Sequence, residues 1–138
     1  MEKYKFLEHT ADVKFQSFGK TIEEAFTNAA LALAETMTKN KKIKSKMKWD
    51  LDVSGKDYEA MLYDFLEEFL FLFDSENFIL SEIKKIEIVN EELHAEVMGD
   101  LVSNYKITND VKAITYHQMF VKQNKDTGLW VCQVVLDV

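Results

Sequence analysis

Between Met61 and Phe73 the chain places Met61, Leu62, Phe65, Leu66, Phe69, Leu70 and Phe73 at helical spacing, a broad apolar stripe with three phenylalanines in it. A helix with so much apolar surface has to be covered, because leaving it in water forfeits the main driving force of folding. Asp64, Glu67, Glu68 and Asp74 interrupt the run too often for a membrane span, which leaves a core helix laid across a sheet, or a partner helix, as its cover. Gly55 and Asp57 punctuate the chain just before this helix.

The rest of the sequence supplies that sheet. Met47, Trp49, Leu51 and Val53 alternate with Lys46, Lys48, Asp50 and Asp52, the pattern of a strand with one wet face. Tyr4 to Glu8 and Val13 to Phe18 read as two short strands around the polar turn His9, Thr10 and Asp12. Ser81 to Val89 and Leu93 to Gly99 form a hairpin through Asn90, Glu91 and Glu92. A second hairpin joins Val111 to Lys122 with Leu129 to Val138 through a polar turn containing Gly128. An earlier helix begins at Thr21, where Glu24 completes the spacing of a capping box, and Ile22, Ala25, Phe26, Ala29, Ala30, Leu33 and Met37 follow on one face. The prediction is an α+β fold: a mixed, largely antiparallel sheet with two helices packed on one face. With no proline, no Gly/Ser linker and no internal repeat, nothing marks a boundary, and residues 1–138 are expected to form a single domain.

Composition narrows the function classes. The single cysteine, Cys132, lies in an apolar run and reads as a small buried side chain, consistent with a reducing compartment. No apolar signal segment follows Met1, so a cytoplasmic location is expected. The net charge of −7 disfavours a protein that holds a phosphate backbone unaided, and all 17 basic residues are lysine, so the bidentate fork of arginine is absent. Against this stands the lysine-rich stretch 39–48, with Lys39, Lys41, Lys42, Lys44, Lys46 and Lys48 and no acid among them. It reads first as a solvated loop running into a protected strand edge, and alternatively as a contact for RNA or an acidic partner.

For chemistry, the sequence has no phosphate-cradling glycine loop, no Cys/His zinc pattern and no serine nucleophile elbow. Of its three histidines, His94 points to the wet face of its strand, while His117 reads as a structural histidine or a weak acid-base candidate. The group worth weighing is His9-Thr10-Ala11-Asp12 with Asp137 and Val138, whose oxygens suit a hard divalent ion if the first turn and the last strand meet. Spacing alone leaves that open.

Phe6-Leu7-Glu8-His9-Thr10-Ala11-Asp12-Val13 resembles the opening motif of the archease family. Gly19 to Phe26 is similar to that family's first helix start, Tyr63 to Leu70 to its second helix, and Val111 to His117 together with Val135-Leu136-Asp137-Val138 to its closing strands. The resemblance spans nearly the whole chain. It implies an accessory protein, not itself an enzyme, that promotes guanylylation and multiple turnover of an RtcB-type tRNA-splicing RNA ligase. It also implies a divalent metal, calcium foremost and magnesium as the alternative, held by Asp12, Asp137 and Val138, with Lys112, His9 and His117 on the same functional surface. The chain departs from the pattern at Gly99-Asp100 and Tyr105-Lys106-Ile107, where many relatives carry Gly-Glu and then a histidine. Two other readings remain: a metal-dependent nucleotide hydrolase with His9 or His117 as base, and an RNA-binding or chaperone-like module using the lysine-rich loop 39–48.

Overall fold

Both helices start where the sequence sets caps. In the computed structural model, which describes residues 2–39 and 42–138, the Thr21 hydroxyl accepts the Glu24 amide at 3.1 Å. The Glu24 carboxylate reaches back to the amide of Lys20, one residue before the cap, at 2.8 Å. Helix α1 then runs Ile22–Thr38. Helix α2, Tyr58–Glu76, is capped by Asp57, whose carboxylate accepts the Ala60 amide at 2.7 Å, and stops at Asn77 in the left-handed region.

The strands are β1 (Tyr4–Leu7), β2 (Val13–Gly19), β3 (Met47–Ser54), β4 (Phe78–Val89), β5 (Glu92–Leu101), β6 (Ala113–Gln123) and β7 (Trp130–Asp137). They form two sheets, of order β1-β2-β7-β6 and β3-β5-β4, in which every pairing is antiparallel. The α+β class and the two helices are as the sequence predicts. The division into two sheets is finer than the one sheet expected, because β3 pairs with β5 across the intervening helix α2 and never joins β2 or β7. Such long-range pairing leaves no local mark in the sequence.

The helices also differ from simple one-face packing: α1 touches β2, β4 and β7, whereas α2 touches β3, β4 and β6, so each bridges the two sheets. That position explains why α1 is buried well beyond its predicted stripe, with Ala32, Ala34, Asn28, Thr36 and Thr38 inside as well. Small alanines let strands approach on several sides, and the polar members are satisfied locally: Thr36 donates to the Ala32 carbonyl at 2.9 Å, and Asn28 to the Phe18 carbonyl at 2.7 Å. The stripe of α2 is buried from Met61 to Leu70 and half-buried at Phe73, with Met61, Leu62, Phe65 and Leu66 at most 1% exposed and Phe65 stacked on Phe26 of α1. One hydrophobic cluster runs from Phe15 to Leu136 through both helices and both sheets. Strand β4 begins three residues earlier than its alternation suggests, because Phe78, Ile79 and Leu80 are all buried and read as a continuous apolar run. Cys132 is fully buried, and that burial pushes its thiol up to about 12, so it is an inert core side chain.

Two glycines test this packing in opposite ways. A Cβ on Gly99 would fall 2.0 Å from the Ile79 carbonyl oxygen and 2.6 Å from the Phe78 ring, whereas one on Gly128 would meet nothing, although φ there is +76°. Gly99→Ala should therefore cost roughly 3 kcal/mol in urea unfolding, and Gly128→Ala only about 1 kcal/mol from its backbone strain. Equal losses would contradict the close approach of β4 to β5.

Candidate functional site

The ends of strands β2 and β7 define the site. Val13 is the Cα partner of Leu136, so Asp12, the residue before Val13, and Asp137, the residue after Leu136, leave the ladder together at the same edge. On its other side β7 pairs with β6, with Ala113 opposite Asp137, and the Lys112 amide donates to the Asp137 carbonyl at 2.7 Å. The register thus brings Asp12, Asp137, Val138 and Lys112 to one end of the four-stranded sheet.

The turn between β1 and β2 adds an imidazole. Ala11 sits at φ 68°, a left-handed kink that reverses the chain between His9 and Asp12. His9 Nδ1 lies 3.7 Å from the Asp12 carboxylate, too far for a hydrogen bond, and is shielded from solvent with no partner among the described residues. The His9 and His117 rings meet nearly edge to face, centroids 6.2 Å apart.

His117 gets there through an irregularity that periodicity does not reveal. Between Thr115 and Phe120 the register of β6 on β7 shifts, and Gln118 adopts φ 56°. Bulges of this kind re-aim side chains. The freed carbonyl of Gln118 accepts the Gln133 amide at 2.8 Å, and Gln133 accepts the Gln16 amide at 2.9 Å, a polar chain across β2, β7 and β6. Just beside it, Tyr116 stacks on Tyr63 of α2, rings 4.3 Å apart and 5° from parallel. Sequence reasoning overlooked Gln133, although a glutamine inside the apolar run Val131 to Leu136 is the kind of signal that marks a buried polar duty.

The residues suit a cation. Among the described residues no side-chain hydrogen bond engages the carboxylate of either Asp12 or Asp137, and the shielded, unpartnered His9 nitrogen stands beside Asp12. Two carboxylates and a main-chain oxygen of Val138 at this edge are the kind of hard oxygen donors that could hold calcium or magnesium. A groove of about 380 Å³, lined in part by Phe6, Asp12, Lys14, Glu35 and Asn109, opens alongside.

Asp100, left open by the sequence, is not a free ligand. It is 5% exposed, and its two oxygens accept the Tyr105 hydroxyl at 2.7 Å, the Leu101 amide at 2.8 Å and the Asn104 amide at 3.3 Å. These bonds, that from Tyr105 foremost, hold its carboxyl below the usual range. The Tyr105 hydroxyl in turn accepts the Lys44 amide at 2.9 Å and anchors part of the lysine-rich stretch. Further along, Ser81 donates to the Ile43 carbonyl and the Lys46 amide to that of Gly99. Lys39, Lys42, Lys44, Lys46 and Lys48 are exposed and lead into β3, an outer strand of its sheet, while Lys41 lies outside the described residues. No helix of the described chain is long and apolar enough to cross a membrane.

Two helices bridging a four-stranded and a three-stranded antiparallel sheet, with an acidic edge where the first turn meets the last strand, is an α+β arrangement with solved counterparts. A solution structure of protein 1598 from Methanobacterium thermoautotrophicum superposes with a TM-score of 0.80 at 31% identity, each chain covered fully. The chain belongs to the archease protein family, whose sequence model matches residues 4–138. It is 38% identical to the protein archease of Pyrococcus furiosus over 100% of both chains, and 33% identical to that of Methanosarcina barkeri over 99% of this chain and 97% of the other. A crystal structure of an archease described as a possible chaperone, from Thermotoga maritima, shares the fold with a TM-score of 0.65 at 21% identity, covering 97% and 96% of the two chains.

The glutamine chain generates a specific expectation. Gln133→Leu keeps the bulk but strips the Gln118 carbonyl of its donor, which should cost roughly 1–3 kcal/mol of stability. It should also shift the ring signals of His117 and His9 in NMR spectra while leaving those of His94, on the other sheet, in place. Unmoved His117 signals would show that the bulge does not depend on Gln133.

Proposed function

We propose that this protein is a cytoplasmic accessory factor of an RtcB-type tRNA-splicing RNA ligase, which promotes the ligase's guanylylation and multiple turnover without ligating RNA itself. The observation that carries the reading is the convergence of Asp12 and Asp137 at one end of the β2–β7 ladder, with Lys112 beside them. Membership of the archease family supports it, and the description of the Thermotoga maritima archease as a possible chaperone accords with action on a partner protein.

Asp12, Asp137 and a main-chain oxygen of Val138 would hold a divalent ion, calcium best matching the all-oxygen set. Bound there, the ion supplies positive charge against phosphate oxygens. The chain's own residues do the rest. Lys112, on the exposed side of the same edge, offers an ammonium to a nucleotide phosphate of the partner. His117, exposed at the bulge, presents a ring at the contact surface, and His9 packs against it with its Nδ1 3.7 Å from the Asp12 carboxylate. Turnover requires that the factor leave once the ligase is charged, which suits a small polar interface with fast release.

In multiple-turnover ligation assays with calcium or magnesium titrated in, Asp12→Ala and Asp137→Ala should each abolish stimulation while circular dichroism and melting remain near wild type. Lys112→Ala should lower stimulation about tenfold, equivalent to roughly 1.4 kcal/mol of lost stabilisation. Full stimulation by both aspartate variants would refute the reading. Nucleotide hydrolysis by the purified protein alone would replace it with an enzymatic one.

A further inference from the structure

A second group of metal-ligating side chains stands on the other sheet, apart from the acidic edge. In the β3–β5 ladder Asp50 is opposite Glu96 and Asp52 is opposite His94, and because facing residues of an antiparallel pair project to the same side, all four share one face. One ring nitrogen of His94 and one oxygen each of Asp50 and Glu96 lie within 4.8 Å of one another. The face is wet: the His94 side chain is 42% exposed and that of Asp52 80%.

The fourth residue settles what the imidazole can do. His94 Nδ1 and the Asp52 carboxylate are 2.8 Å apart, and since an ionised carboxylate only accepts, the proton of this hydrogen bond sits on Nδ1. In the neutral ring Nε2 then carries the free lone pair. A carboxylate fixing one imidazole nitrogen so that the other can ligate is the usual outer support of a histidine metal ligand.

The geometry points to a binding site for a first-row transition dication of the zinc class, held by His94, Asp50 and Glu96 and oriented by Asp52. One imidazole with two carboxylates is a borderline donor set, which favours zinc-like ions over the all-oxygen demand of calcium. Tetrahedral bonds of about 2.1 Å place ligand atoms about 3.4 Å apart, so the three side chains have to draw together around the ion. Rotation of the flexible Glu96 side chain supplies such a movement. Lys48 Nζ, 3.3 Å from a Glu96 oxygen, is the competitor the ion displaces or shares with, while Lys85, opposite Glu96 on β4, is drawn away to Glu87 at 3.1 Å. With three protein ligands on an open face, the remaining position is left to water or to a donor from another molecule.

The test is zinc chloride titrated into the full-length protein, followed by calorimetry and by NMR of the histidine rings. Wild type should bind one equivalent at this face, with His94 signals shifting and Nε2 as the ligating nitrogen. His94→Ala and Glu96→Gln should each weaken that binding at least tenfold, and Asp52→Asn about tenfold through the loss of ring orientation. Asp12→Ala should leave the His94 response intact, and calcium chloride should not evoke it. Zinc shifts confined to His9 and His117, or unchanged affinity in both His94→Ala and Glu96→Gln, would overturn the assignment without touching the role of the acidic edge.

Discussion

Strand β7 takes part in two antiparallel ladders at once, and the shared strand ties the outer segments of the chain to the core. Cys132 to Leu136 are buried without a break, so β7 has the near-continuous apolar run of a strand covered on both faces. Its partner β2 contributes Phe15, fully buried opposite Val134. Because side chains alternate with a period of two, a slip of one residue in this ladder would turn Phe15 out of the core and part Asp12 from Asp137 together. The energy that fixes the candidate site is thus apolar burial several residues away, and the acidic groups are free to be chosen for chemistry.

Local periodicity made the helices legible. The stripes of α1 and α2, the capping box at Thr21, the break at Gly55 and Asp57 and the alternation of β3 all follow from interactions within a few residues. What the sequence hid is non-local. Nothing near Trp49 says that it will face Val97 of β5, nor that the strands divide into two sheets, and only their partition shows why α1 is buried on several sides. The same holds for the site. Spacing alone left Asp12 and Asp137 unconnected, family resemblance grouped them, and the register of β2 on β7 places them side by side. His117 reads from the sequence as a structural histidine or a weak acid-base candidate in a regular strand, whereas the register shift of β6 beside it, with Gln118 at positive φ, is not legible there. Only the oddity of Gln133 among valines hinted at that bulge.

The charges divide by location. Carboxylates that shape the fold are saturated, as Asp100 is by Tyr105, Leu101 and Asn104, while those at the acidic edge have no such bonds among the described residues. Residues 42–48 are moored by main-chain and hydroxyl bonds at Ile43, Lys44 and Lys46, so the ammonium groups there extend from a braced backbone. A molecule with a net charge of −7 can in this way offer a local cationic face and a local anionic one, which favours oriented encounter with a partner over general adhesion to nucleic acid.

The pairing of β2 with β7 carries a further consequence for how the protein is made. Asp12 lies between β1 and β2 and Asp137 at the end of β7, with both helices and the other sheet between them in the chain, so the acidic edge exists only once β7 has docked on β2. Bringing the two segments together closes a long stretch of chain, at an entropic cost that rises slowly with its length. Competence to bind is thereby coupled to completed folding, and a truncated or half-folded copy has no edge to present.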